Sequence, residues 1–149
     1  MKVSVQTEDF DIQSEVDALK SDPKVGAVVM FLGTVRDMNE GDEVSSMTLE
    51  HYPGMTQKAL VSIVEEARKR WDIYDATVIH RVGELHATDR IVFVGVSGAH
   101  RGEAFDACEF IIDYLKTEAP FWKKEKTPEG DRWVEARESD EAAKDKWSI

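Results

Sequence analysis

Strand-like runs in this chain arrive in pairs joined by short polar turns, and that pairing constrains the fold more than any other feature. Val25–Val35 runs into the polar stretch Asp37–Glu43 (DMNEGDE), and Ser46–His51 returns from it. Ala76–Val82 and Ile91–Ser97 follow one another with no helical pattern between them. Phe121–Thr127 and Asp131–Ala136 flank the turn Pro128-Glu129-Gly130. Strands joined this tightly pair antiparallel, because a parallel partner needs a crossover of about a dozen residues or more. Two long amphipathic segments interrupt the strands. Met55–Trp71 sets Met55, Ala59, Leu60, Ile63, Val64, Ala67 and Trp71 on one stripe. Gly102–Glu118 does the same with Ala104, Phe105, Cys108, Ile111, Ile112 and Leu115. Tyr52-Pro53-Gly54 launches the first of these helices and Pro120 stops the second. Ahead of them, Val3–Gln6 reads as an edge strand and Ile12–Lys20 as a short helix ended by Asp22-Pro23. Ile91–Ser97 is apolar on both faces and belongs in the middle of a sheet. The order β-α-β-β-α-β-β-α-β-β lacks strict alternation, so the expected class is α+β with mostly antiparallel sheet.

Composition excludes several roles. With 149 residues the chain fits one domain spanning 1–149, long enough to bury a core without disulfides. The net charge of −11 gives no basic face for nucleic acid and no attraction to an anionic membrane. A single cysteine permits neither an internal disulfide nor a cysteine-based zinc site. No apolar run approaches a membrane span, and MKVSVQTEDF lacks the apolar core of a secretion signal, so a cytoplasmic location is expected. The charged last dozen residues are expected to stay mobile until Trp147 docks.

Motifs for familiar chemistries are missing. There is no glycine-rich phosphate loop, no G-x-S-x-G elbow and no close histidine pairing among His51, His80, His86 and His100. No cofactor and no metal site are expected. Cys108 falls on an apolar helical stripe and reads as a core residue rather than a nucleophile. What stands out is cationic. Lys116, Lys123, Lys124 and Lys126 crowd into LKTEAPFWKKEK, interleaved with Phe121 and Trp122. They read either as solvated lysines at a helix end or as part of a site. In an extended WKKE segment, Lys123 and Glu125 share one face while Trp122 and Lys124 share the other. Arg36 closes an apolar strand, and reads as a surface arginine at a hairpin end or as an anion contact. His100-Arg101 precedes a helix N-terminus, where unpaired N–H groups favour anions, or simply starts that helix. His80-Arg81-Val82-Gly83 reads as the structural end of a strand. Together the cations point to a pocket for a small phosphorylated or carboxylated ligand, with lysines suited to charge stabilisation or proton transfer.

Several segments, in order along the chain, match a known family. GAVVMFLGTVRDMNEG (26–41), LEHYPGM (49–55), IHRVGEL (79–85), VSGAHRGEAFDAC (96–108), LKTEAPFWKKE (115–125) and GDRWVEA (130–136) resemble the large, catalytic subunit of molybdopterin synthase. The resemblance implies an α/β-hammerhead-like fold with an added antiparallel β subdomain. It implies a sulfurtransferase of molybdenum cofactor biosynthesis that gives cyclic pyranopterin monophosphate its two dithiolene sulfurs. The sulfur would arrive as a thiocarboxylate on the C-terminal Gly-Gly tail of a small ubiquitin-like sulfur-carrier subunit. Two copies of the large subunit would form a homodimer at the centre of a heterotetramer, with the pocket completed across the dimer interface. Residue by residue, it implies catalytic roles for Lys116 and Lys123 beside the tail. It implies substrate phosphate and pterin contacts for Arg36, His100 and Arg101, with Thr34, Val35, Lys124 and Glu125 lining the same pocket. Two other readings compete with sulfur transfer: a non-catalytic docking module for a ubiquitin-like protein, and a phosphate-ester hydrolase. The second lacks a visible metal cluster or activated nucleophile.

Overall fold

The computed structural model describes residues 1–39, 42–43, 46–134 and 138–148. The elements, in order, are β1 (Lys2–Gln6), α1 (Ile12–Leu19), β2 (Ala27–Thr34), β3 (Met38–Asn39), β4 (Asp42–Glu43), β5 (Ser46–His51) and α2 (Met55–Arg70). They continue with β6 (Asp75–Arg81), β7 (Gly83–His86), β8 (Arg90–Gly98), α3 (Arg101–Glu118), β9 (Phe121–Thr127), β10 (Gly130–Val134) and α4 (Glu138–Asp145).

Two four-stranded sheets carry the architecture. The first runs β1-β6-β8-β2, and only its β1–β6 pair is parallel. The apolar β8 is internal and the N-terminal strand is an edge, as their patterns predict. The second sheet, β10-β9-β5-β7, is antiparallel throughout and forms the added β subdomain. The class is therefore α+β with mostly antiparallel sheet. Gly41 and Ala136 lie outside the described residues; on either side of Gly41, β3 and β4 pair within the expected polar turn.

The first sheet is covered on both faces. Ala76, Val78, Val92, Val94 and Val96 meet Leu60, Ile63, Val64 and Ala67 of α2, and Ala104, Ala107, Phe110, Ile111 and Leu115 of α3. Ile79 and Phe93 on the opposite face meet Phe10 and Leu19. This alternation follows from the period of two along a strand. Asp11 caps α1 by accepting a hydrogen bond from the Ser14 N–H at 3.2 Å. Arg68, Lys69 and Arg70 occupy the last turn of α2, where cations complement the helix dipole.

Several expectations need correction. β2 and β5 do not form the expected hairpin: β2 pairs with β8 in the first sheet, while β5 crosses into the second sheet between β9 and β7, because the segment between them is long enough to carry the chain from one sheet to the other. Met55 and Phe105 continue the apolar stripes in sequence, yet each is more than half exposed. Phe105 stands at the edge of its stripe, beside the buried Ala104 and Cys108, and Met55 is the first residue of α2, beside the buried Thr56. β7 is an additional strand where the sequence pattern shows only a strand ending at Val82; Gly83, with a positive φ of 89°, begins it. Toward the C-terminus Glu138–Asp145 form α4, and the expected docking of Trp147 is made within the chain itself. Trp147 wedges edge-on against Trp71 and Phe110, and its indole N–H donates to Asp113 Oδ2 at 2.7 Å. Ion pairs Lys146–Glu109 and Lys144–Glu118 flank it.

Candidate functional site

The end of α3 and the start of β9 build a cationic corner. Lys116 lies in the last turn of α3, one residue beyond the buried Leu115. After the helix stops, the Pro120 carbonyl accepts a hydrogen bond from the buried Thr56 hydroxyl at 2.9 Å, which ties this turn to the start of α2. β9 then pairs with β5 in the register Phe121↔His51, Leu49↔Lys123 and Met47↔Glu125. Directly opposed residues share a face, so Phe121, His51, Lys123 and Glu125 stand on the side where Leu49 and Met47 are buried. Trp122 and Lys124 stand on the other side, opposite Glu50 and Thr48. The two adjacent lysines thus part. Lys124 reaches toward the Asp131 carboxylate (3.8 Å) and the Trp133 ring (5.8 Å) on the outer face. Glu125 is buried beneath Lys123 and is paired with Arg132 at 3.3 Å.

His80, on β6, closes this corner from the first sheet. Its imidazole stacks on Phe121 with ring centroids 3.9 Å apart and planes 22° apart. Burial pushes its pKa down to about 4, and the nearby charges of Lys116, Lys123 and His51 push the same way. Sequence reasoning assigned His80 a structural end-of-strand role. Strand alternation alone could not show that β9 would lay Phe121 across it.

The remaining candidates lie at the two ends of the first sheet. Thr34 ends β2, Val35 turns inward onto Met47 and Leu85, and Arg36 emerges to solvent. The Val35 backbone is held by the turn before β8: its N–H donates to Asp89 O at 3.0 Å, and its carbonyl accepts from the Thr88 N–H at 2.8 Å. Because Val35 packs on β5 and β7, Arg36 emerges where the two sheets adjoin. His100 and Arg101 lie at the other end. Ala27, at the start of β2, pairs with Gly98, and His100 caps α3 with no side-chain hydrogen bond to the helix. α3 has 18 residues, so at 1.5 Å per residue its two ends stand roughly 25 Å apart. One chain therefore joins Lys116, Lys123, His51 and His80, and by itself leaves His100-Arg101 remote from them.

Cys108 is buried, donates weakly to Val94 O at 3.7 Å, and has its thiol pushed up to about 12 by burial. It is a core residue, as its place on the stripe predicts, and no thiolate forms there near neutral pH. Among the described residues no three His, Cys, Asp or Glu side chains gather to hold a metal ion. Among them also, no helix is long and apolar enough to cross a membrane.

The family described as MoaE protein matches residues 5–118. The molybdopterin synthase catalytic subunit of Escherichia coli K12 is 59% identical over 146 residues, covering 98% of this chain and 97% of that one. The corresponding subunit of Ralstonia nicotianae is 60% identical over 148 residues, covering 99% and 84%. Among solved structures, the molybdopterin biosynthesis MoaE protein of Burkholderia ambifaria aligns with a TM-score of 0.85 at 54% identity, covering 99% of this chain and 98% of that one. Molybdopterin synthase from Staphylococcus aureus aligns at 0.82 and 30% identity, covering 88% and 95%. An α+β fold of two mostly antiparallel sheets is the architecture shared with these structures. The chain belongs to the MoaE protein family.

Proposed function

We propose that this chain is the sulfurtransferase subunit of a molybdopterin synthase, acting on cyclic pyranopterin monophosphate. The observation that carries the reading is the corner of Lys116 and Lys123 in a chain whose one thiol is buried and protonated. Such a site stabilises anions but has no sulfur of its own to give. The sulfur comes from outside, on the Gly-Gly thiocarboxylate tail of a small ubiquitin-like subunit. The relatives' designation as catalytic subunits supports the presence of a second subunit. A tail without side chains fits a narrow channel and brings its terminal charge to the ammonium groups.

In each of two rounds the thiocarboxylate sulfur attacks a side-chain carbon of the pterin that carries oxygen: the new C–S bond forms as that carbon's C–O bond breaks, and the oxygen leaves with the pair of electrons, as water once protonated or as a phosphate oxygen at the phosphate-bearing carbon. Water then cleaves the bond between that sulfur and the tail's acyl carbon, leaving a carboxylate on the tail. Lys116 and Lys123 orient the tail and stabilise the oxyanion formed during this cleavage. Glu125 and Val35 support the pocket from beneath, Thr34 borders Arg36, and Lys124 adds positive charge on the outer side of β9.

The phosphate is held by Arg36 of one protomer and by His100 and Arg101 of a second copy. The exposed apolar side chains Met30, Phe31 and Phe105 support such a dimer. They lie on β2, which pairs on one side only among the described residues, and on α3 packed beside it. A two-fold contact along β2 runs the strands antiparallel. The Ala27 end of one copy, with His100 and Arg101 beside it, then meets the Thr34 end of the other, with Arg36. Lys116→Ala, given thiocarboxylated small subunit and the pyranopterin, is expected to lose product formation on the order of 100-fold. Product at the normal rate removes the lysine role. Intact binding of the small subunit with no dithiolene product from the unaltered chain favours the docking-module reading instead.

A further inference from the structure

His80 has no part in the lysine mechanism above, yet it is built into the same corner. On β6 it follows Ala76 and Val78 on the face turned toward α2 and α3. It sits where that helical layer ends and β9 begins. Two contacts fix its ring: the stack on Phe121, and Nδ1 at 2.9 Å from the Arg81 carbonyl oxygen. A carbonyl oxygen only accepts, so Nδ1 carries the proton. In the neutral ring Nε2 then holds a bare lone pair.

The groups around it are cations or apolar. α3 contributes Lys116, β9 contributes Lys123 and Phe121, and β5 contributes His51. The neighbouring strands set Val5 and Val92 opposite His80 in register. The Arg81 guanidinium turns away, donating to the carbonyls of Thr7 and Arg90 at 3.1 and 3.0 Å. The Lys116 ammonium is exposed and makes no hydrogen bond to the ring among the described residues, but it stands five residues before the Phe121 that stacks on His80, and an ammonium, with three donors and no acceptor, can turn to the bare ring nitrogen. Burial keeps the ring neutral at pH 7, so the lone pair is available there.

We propose that His80 is a positioning residue for Lys116: clamped between the Arg81 carbonyl and the Phe121 ring, it presents Nε2 as the acceptor that orients the Lys116 ammonium. This rests on the reading of Lys116 as a catalytic group, but the bond itself is testable without turnover. Two-bond 1H–15N spectra of the histidine-labelled chain at pH 7 should show His80 neutral and protonated on Nδ1. Lys116→Met should move the Nε2 resonance toward that of an unbonded ring nitrogen. A proton on Nε2, or a resonance indifferent to Lys116→Met, overturns the proposal.

Activity supplies a second arm. His80→Asn keeps a donor at the δ position for the Arg81 carbonyl and has nothing at ε. His80→Gln restores an acceptor at ε. With thiocarboxylated partner and pyranopterin, His80→Asn is expected to lose on the order of 10- to 100-fold in kcat with KM nearly unchanged, the scale of a misplaced catalytic group. His80→Gln is expected to recover most of it. Equal losses in the two variants would mean a packing role only and overturn the proposal. If Lys116→Ala keeps full activity, the catalytic reading fails while the spectra still decide the hydrogen bond.

Discussion

A neutral imidazole buried among cations makes the stability of this chain depend on pH. The His80 pKa is about 4 in the folded chain, against an ordinary value of 6.5 once unfolded. Between those values the unfolded chain binds the extra proton, so stability rises with pH through that window. The contribution is complete above pH 6.5 and is lost as pH falls toward 4, on the order of 3 kcal/mol in all. Urea unfolding at a series of pH values should show that slope. His80→Gln should flatten it, and an unchanged slope would place the acid sensitivity elsewhere. The two lysines were legible in the sequence, since cations crowded into an acidic chain are conspicuous. So was their parting from Lys124, because strand alternation separates neighbours. His80 was not legible, because its meaning depends on a stack with Phe121 across two sheets.

Among the elements, α2, α3 and the β9–β10 hairpin lie within about two residues of where periodicity and turn residues predict them. Their signals are local and long enough to average out exceptions. β1 was legible as an edge strand, but its parallel pairing with β6 was not, since nothing in five residues encodes a partner so distant in the chain. α4 was missed because its sequence is charged. It owes its place to Trp147 rather than to a stripe of its own. Two glycines show how closely the elements approach. A Cβ at Gly26 would stand 2.3 Å from the Ala99 carbonyl oxygen, and one at Gly95 would stand 2.6 Å from Leu19 Cδ1. Side chains can move aside and a backbone carbonyl cannot without shifting the chain. Gly95→Ala is expected to cost about 1–3 kcal/mol, the usual overpacking range, and Gly26→Ala more. Thermal unfolding orders the two, and the reverse order would show that the 98–100 backbone yields readily.

The whole molecule divides its charges between the ends of α3, and a shared pocket predicts a specific genetic behaviour. Chains carrying Lys116→Ala and chains carrying Arg101→Ala should each be inactive as homodimers. Co-expressed, they form mixed dimers in which one pocket carries both lesions and the other neither. With random pairing, about a quarter of all pockets should be intact, and product formation should recover to about that share. No recovery in mixed dimers whose assembly is verified by mass would show that the pocket belongs to a single chain.

The sequence by itself determined the α+β class, the two main helices and the turns that bound them, the antiparallel pairing of β6 with β8 and of β9 with β10, the inert core thiol and the family. These are short-range or compositional properties, fixed by periodicity, turn chemistry and the residues present. Only the tertiary structure decided which cations meet. Lys116 and Lys123 join His51 and His80 because a turn and a strand register bring them there. His100 and Arg101 stay apart from them because a helix of 18 residues is rigid and holds its ends at a fixed distance.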